Sequence, residues 1–168
     1  MNNSISTFGW FILLIGLSGN IAAQSNSEED KILNVIQGVF DGMQVGDSAM
    51  VRSHFYHELE MYTSYTNKEG KRILSKDEPQ KFFDAIGTPH DRIWNEEWWS
   101  PEVRIDGNLA QVWTPYAFYI DDTFSHCGVD AFHLIRLNDD SWKIFHLTDT
   151  RQRADCDIPE AIRIKHEK

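Results

Sequence analysis

Glu97, Tyr116, His133 and His146 are the residues of this chain whose types could do chemistry together. A carboxylate walled in by apolar side chains has a raised pKa and can act as a base. A phenol in the same low-dielectric setting donates a strong hydrogen bond to an oxygen that is gaining charge. An imidazole adds a second acid or base near neutral pH. Such a set would abstract a proton beside a carbonyl or eliminate water. With Trp99, Phe118 and Thr148, the same residues read equally well as the wall of a pocket that binds without turnover, since an apolar concavity with a few convergent polar groups is the usual small-molecule site. Each also has a plain structural reading: His133 and His146 as a cross-strand contact, Glu97 solvated at a rim, Tyr116 as core packing.

Other chemistries lack their residues. There is no G-x-S-x-G nucleophile elbow, P-loop, G-x-G-x-x-G turn or H-E-x-x-H pair. His54 and His57 would approach each other only on one continuous helix, and no third ligand accompanies them, so neither a metal nor a cofactor is expected. Ser125 and His126 are neighbours in a strand and so point to opposite faces. Cys127 and Cys156 are the only cysteines. In an oxidising compartment such a pair most simply forms one disulfide, with two separate buried thiols as the alternative.

The elements that must position these residues are set by periodicity. Ile32, Val35, Ile36, Val39, Phe40 and Met43 recur at helical spacing, and Gly46 and Asp47 end that helix. A short helix to Phe55, a strand over Leu59–Tyr65, a turn at Asn67–Gly70 and a return over Arg72–Leu74 come next. Ser75 with Glu78 three residues on, then Pro79, predicts a capped helix burying Phe82, Phe83 and Ile86. From Arg92 onward the pattern is that of strands. Residues 108–150 read as three long ones joined by tight turns. Helices gathered on one face of an antiparallel sheet make an α+β fold.

Turn placement sets the register, and a slip of one residue reverses every side chain. Loops at Gly107-Asn108, Asp122-Thr123 and Asp139-Asp140 put Val103, Ile105, Val112, Tyr116, Phe118, Val129, Ala131, Ile135, Trp142 and Ile144 on a pocket face with Glu97, His133, His146 and Thr148. The opposite face then holds Trp98, Trp113, Tyr119, Phe132, Phe145 and Leu147. That is too apolar for water, and it predicts a sheet-to-sheet homodimer contact through Trp113, Tyr119, Phe132 and Phe145. Asp130, Asp149 and Arg151 fall on this second face, where they read as an ion cluster at the interface edge, with a catalytic role as the alternative.

Residues 1–23 carry no charge, hold an apolar run from Phe8 to Leu17 and end in small residues, the pattern of a signal peptide cleaved after Ala23. The run is too short to span a bilayer, so no stable membrane insertion is expected after cleavage. The formal charge of -10 therefore falls entirely on the mature chain, and an acidic domain repels phosphate backbones, which argues against nucleic acid as a partner. Residues 24–157 make one domain, and 158–168 a tail expected to be mobile or to lie along the sheet edge.

The order of helices and strands, the leader, and the motifs SHCGVDAF (125–132) and SWKIFHLTDTR (141–151) with the later Cys156 resemble the secreted bacterial lumazine-binding-like branch of the nuclear transport factor 2 superfamily. The resemblance covers roughly residues 28–157. It implies a cystatin-like cone, in which a curved sheet wraps a long helix around a pocket, and frequent dimers. It implies no single activity, because relatives include isomerases, cyclases, dehydratases and non-catalytic binding proteins. The expectation is a secreted or periplasmic domain that binds a small, partly apolar molecule without turnover. The alternatives are an isomerase-, dehydratase- or cyclase-type enzyme using Glu97, Tyr116 and the two histidines, and a dimeric interaction module.

Overall fold

A computed structural model describes residues 21–167; of the leader expected over residues 1–23, residues 1–20 lie outside the described residues. The elements are α1 (Ile21–Val45), α2 (Ser48–Ser53), β1 (Phe55–Thr66), β2 (Arg72–Asp77), α3 (Pro79–Gly87), β3 (Trp94–Trp98), β4 (Glu102–Asp106), β5 (Leu109–Ile120), β6 (Thr123–Arg136), β7 (Trp142–Arg151) and α4 (Glu160–His166). The sheet runs β2-β1-β7-β6-β5-β3, with β4 also on β5. It is mixed rather than purely antiparallel, because β1 and β7 run parallel. The fold is an α+β cone, its curved, unclosed sheet wrapped around the N-terminal helices. Ser75 to Asp77 extend β2 instead of capping α3, which starts from Glu78 with no side-chain cap bond.

One face of α1 carries Ile32, Ile36, Val39, Phe40 and Met43 into a core shared with Val112, Phe132, Leu134, Trp142 and Ile144. Glu28 ties the start of this packing to the sheet. Its carboxylate accepts from Trp142 Nε1 at 3.0 Å and pairs with Lys31 at 2.6 Å. Those bonds, Lys31 first, hold it down at about 2. Gly42 is required where α2 crosses α1, since a Cβ there would come within 2.6 Å of Val51 Cγ2.

The register departs from expectation in three places, and each has a local cause. Val103 pairs with Val112 and Ile105 with Ala110 as expected. Upstream, Ser100 at φ 47 and Pro101 interrupt the strand. As a result Trp98 faces Tyr116 and Glu96 faces Phe118, where Trp99 and Glu97 were expected. Asp121, at φ 55, opens the next turn one residue early. A bulge comes after it, with Ser125 as the extra residue, so that Phe118 pairs with His126, Tyr116 with Gly128 and Val112 with Phe132. In the last hairpin His133 does face His146 and Ala131 faces Thr148, but a bulge at Phe145 sets Leu134 against Ile144.

These shifts exchange the faces of several residues. Phe132 is fully buried in the core, and Asp130, Asp149 and Arg151 turn to the concave side. Of the four residues expected at a dimer contact, Phe132 therefore cannot take part. Tyr119 is covered, because the His166 ring stacks on it with centroids 3.7 Å apart. Trp113 is 47% exposed and Phe145 half-buried. The tail is ordered: α4 seats Ile162 in a second cluster with Ala117, Tyr119 and Cys127. No helix among the described residues is long and apolar enough to cross a membrane.

Cys127 and Cys156 form a disulfide across a sequence separation of 29, tying the segment before α4 to β6. Opening that loop is expected to cost about 3–4 kcal/mol by the chain-entropy relation. Denaturant unfolding of the Cys127→Ser, Cys156→Ser double variant measures it, and an unchanged midpoint would contradict the estimate.

Candidate functional site

A cavity of about 320 Å³ opens between α1, α3 and the concave face of the sheet. Trp94, Phe118, Phe132 and Leu147 from four strands, with Phe40 and Met43 from α1 and Phe82 from α3, make its walls apolar. Glu96, Tyr116, His126, Asp130, Asp149 and Arg151 are the polar groups that matter to its chemistry.

Strand pairing explains why these polar groups converge. Asp130 and Asp149 are direct cross-strand partners, and Tyr116 lies one strand over, opposite Gly128. Like charges directly opposite each other destabilise a sheet, and the two aspartates escape that in different ways. Asp149 is surrounded by donors: Thr63 Oγ1 at 2.6 Å, Arg151 Nε at 2.5 Å and the Tyr116 hydroxyl at 3.2 Å. It is a structural carboxylate held by three donors. The Thr63 hydroxyl also lies 2.8 Å from Asp77, and with one hydrogen it serves one of the two acids at a time.

Asp130 has no such support. It is 4% exposed, and its Oδ2 finds no hydrogen-bond donor among the described residues. The group beside it is the Glu96 carboxyl, and the proton the two share leaves Oδ2 still without a donor. Burial is the main force raising both acids. Glu96 is pushed up to about 7 and Asp130 well above the carboxylate range, the latter raised further by Glu96 and Asp149. The pair therefore holds one proton near neutral pH, as two adjacent carboxylates in an apolar site do.

Tyr116 stays a neutral phenol, its pKa raised by burial and then by Asp149, Asp130 and Glu96. Its hydrogen is directed to the Thr150 carbonyl at 2.9 Å or to Asp149. Gly128 makes that approach possible, because a Cβ there would fall 1.8 Å from the Thr150 oxygen. His126 is lowered to about 4, by burial first and Arg151 second, and so is a neutral imidazole at pH 7. The bulge at Ser125 swings that hydroxyl to 3.0 Å from His126 Nδ1, although neighbours in a regular strand would face apart.

Of the residues singled out from sequence, Tyr116 and Phe118 line the cavity, whereas Glu97, Trp99, His133, His146 and Thr148 do not. Glu97 instead meets Lys165 at 2.8 Å and His166 at 3.2 Å, pinning α4. His133 and His146 contact each other, Nδ1 to Nδ1, at 3.1 Å, with Thr148 3.2 Å from His146 Nε2. Trp99 packs with the α4 cluster. Sequence reasoning missed Glu96, Asp130 and His126 as cavity groups. The signal was available in the acids at 130 and 149, each set inside an otherwise apolar strand. Among the described residues no group of three or more His, Cys, Asp or Glu side chains is arranged to hold a metal ion.

The profile of a family described as "putative lumazine-binding" matches residues 27–147, and the chain belongs to that family. Solved structures share the fold at low identity. A nuclear transport factor 2-like protein of unknown function from Shewanella baltica is 16% identical over 77% of this chain and 97% of its own, with a TM-score of 0.57. A protein of unknown function from Mycobacterium tuberculosis is 13% identical, over 90% and 92%, at 0.63. A structure named as a "putative scytalone dehydratase" from Novosphingobium aromaticivorans is 11% identical, over 83% and 94%, at 0.61. None of the curated proteins matches the sequence.

Proposed function

We propose that this chain is an exported small-molecule-binding domain. Its cavity buries the body of a partly apolar molecule against Trp94, Phe118 and Leu147 and engages a hydrogen-bond donor of that molecule at Asp130. The observation that carries this reading is the buried Asp130 Oδ2 without a donor. An unsatisfied polar atom in an apolar site costs roughly 1–3 kcal/mol, and a ligand donor offsets that cost. Export is supported by the leader pattern of residues 1–23 and by the disulfide, which suits an oxidising compartment.

The neutral fluorophore N-phenyl-1-naphthylamine tests the pocket directly. Its emission is expected to rise on binding and to saturate. The Ala85→Trp variant places an indole at the exposed cavity rim and is expected to weaken binding by about tenfold or more. Absence of any saturable signal, or undiminished binding in Ala85→Trp, would overturn the reading.

A second reading, acid–base turnover of the isomerase or dehydratase type, draws on the shared proton of Glu96 and Asp130, a carboxyl poised near neutral pH. The name of the Novosphingobium structure is in keeping with it. Tyr116 argues for binding instead, since its hydrogen is already committed to Thr150 and Asp149 and does not point at a ligand oxygen.

A further inference from the structure

We infer that the molecule this cavity takes is a cation, a primary or secondary amine on an apolar ring-bearing body, with its ammonium seated between Asp130 and Glu96. The inference rests on the small-molecule reading above and narrows it to a chemical class.

Charge on the cavity wall is the first argument. Asp77, Glu96, Asp130 and Asp149 line it, against a single guanidinium, Arg151. Arg151 is engaged with Asp149 at 2.5 Å, and Asp149 draws on Thr63 and Tyr116 as well. The cation and the donors thus gather on one acid and leave the other pair unattended. Asp130, 4% exposed and without a donor at Oδ2, and Glu96 beside it are balanced only by the proton they share.

Donor chemistry is the second. An ammonium carries up to three N–H donors and no acceptor. It can serve Asp130 Oδ2 and Glu96 at once and replace their shared proton with a full positive charge, so that both acids ionise in its presence. Such charge-assisted bonds are about twice as strong as neutral ones. A hydroxyl offers one hydrogen and brings lone pairs toward a second carboxylate, and an anionic ligand meets four acids. The walls suit the same ligand. Trp94 lies two residues from Glu96 on the same face of β3, and Phe118 is directly opposite Glu96 on β5, with the two rings 6.2 Å apart. Aromatic faces attract cations as well as apolar bodies. At about 320 Å³ the space is at the small end of ligand sites, which suits a body of one or two rings. A chain charge of -10 steers cations toward the protein.

The test is titration of the protein with 2-phenylethylamine, 2-phenylethanol and 3-phenylpropanoate at about pH 7.5 and low salt, monitored by NMR at the Trp94 indole N–H. The amine is expected to bind about tenfold tighter than the alcohol, with the propanoate weakest. Asp130→Asn, which keeps the shape and removes the charge, is expected to shrink the amine-to-alcohol ratio to about threefold or less. The inference is overturned if the alcohol matches the amine, if the propanoate binds best, or if Asp130→Asn keeps the preference. It falls alone if none of the three binds while the fluorophore still fills the cavity. If the fluorophore fails too, the small-molecule reading falls with it.

Discussion

Replacing Phe132 by alanine is expected to lower stability by about 3–5 kcal/mol, whereas Trp113→Ala, on the other face of the sheet, should cost about 1 kcal/mol or less. Phe132 has no exposed surface. It is paired with Val112 on one side and Leu147 on the other, and its ring lies 6.3 Å from that of Phe40 on α1. Truncation removes the transfer energy of the ring and opens a void that joins the ligand cavity. Trp113 is already half in water. Urea unfolding of the two variants reads the difference. A Phe132→Ala cost below that of Trp113→Ala would mean that the sheet faces are reversed.

Between pH 4.5 and about 7 Glu96 alone is expected to contribute a loss of about 3 kcal/mol, with Asp130 adding to it and His126, whose pKa is lowered from 6.5 to about 4, opposing it as pH rises. Burial raises Glu96 from 4.5 to about 7. Below pH 4.5 the group is protonated in both states, and its neutral form is tolerated in the fold. As pH rises, the unfolded chain releases its proton first while the folded state retains it, so this contribution falls until the folded group also ionises near 7 and then levels off. This is the opposite of an ion-paired carboxylate such as Glu28, whose folded pKa is depressed and whose support is lost as pH falls from 4.5 to about 2. Chemical denaturation across this range, compared with Glu96→Gln, checks it. The parent should lose stability relative to Glu96→Gln as pH rises from 4.5 to 7, and a difference between the two that does not change with pH would refute the buried, shared-proton arrangement. An amine in the cavity would counter the same loss by stabilising the ionised pair.

The α+β layout could be read from the chain and its cone shape from the family resemblance, while the cavity chemistry could be read only in part. Helical spacing of Ile32, Ile36, Val39 and Met43 and the long alternating runs after Leu109 call for a helix packed on a sheet, because each element must bury its apolar stripe, but both faces of the sheet are apolar and the pattern does not choose between them. The pairing of His133 with His146 was legible for a less satisfying reason: a longer final turn and the bulge at Phe145 cancel by the time the strand reaches them. Their face was not legible, because the same bulge reverses them relative to Ile144. Glu96 and Glu97 illustrate the general difficulty. Two acids in succession on one strand must point to opposite sides, and local pattern alone carries no information on which points inward.

The sequence by itself determined the fold class, the pairing of β4 with β5, and that any disulfide would join Cys127 to Cys156. Those features are set by composition, period and chain connectivity, all local quantities. Tertiary structure decided which acids meet. The kink at Ser100 and Pro101, the early turn at Asp121 and the bulges at Ser125 and Phe145 each shift the alternation by one residue. With a side-chain period of two, every such shift moves a residue from outer surface to cavity or back. Glu96, Asp130 and Asp149 come together, and Glu97, His133 and His146 do not, because of where the chain breaks its own pattern.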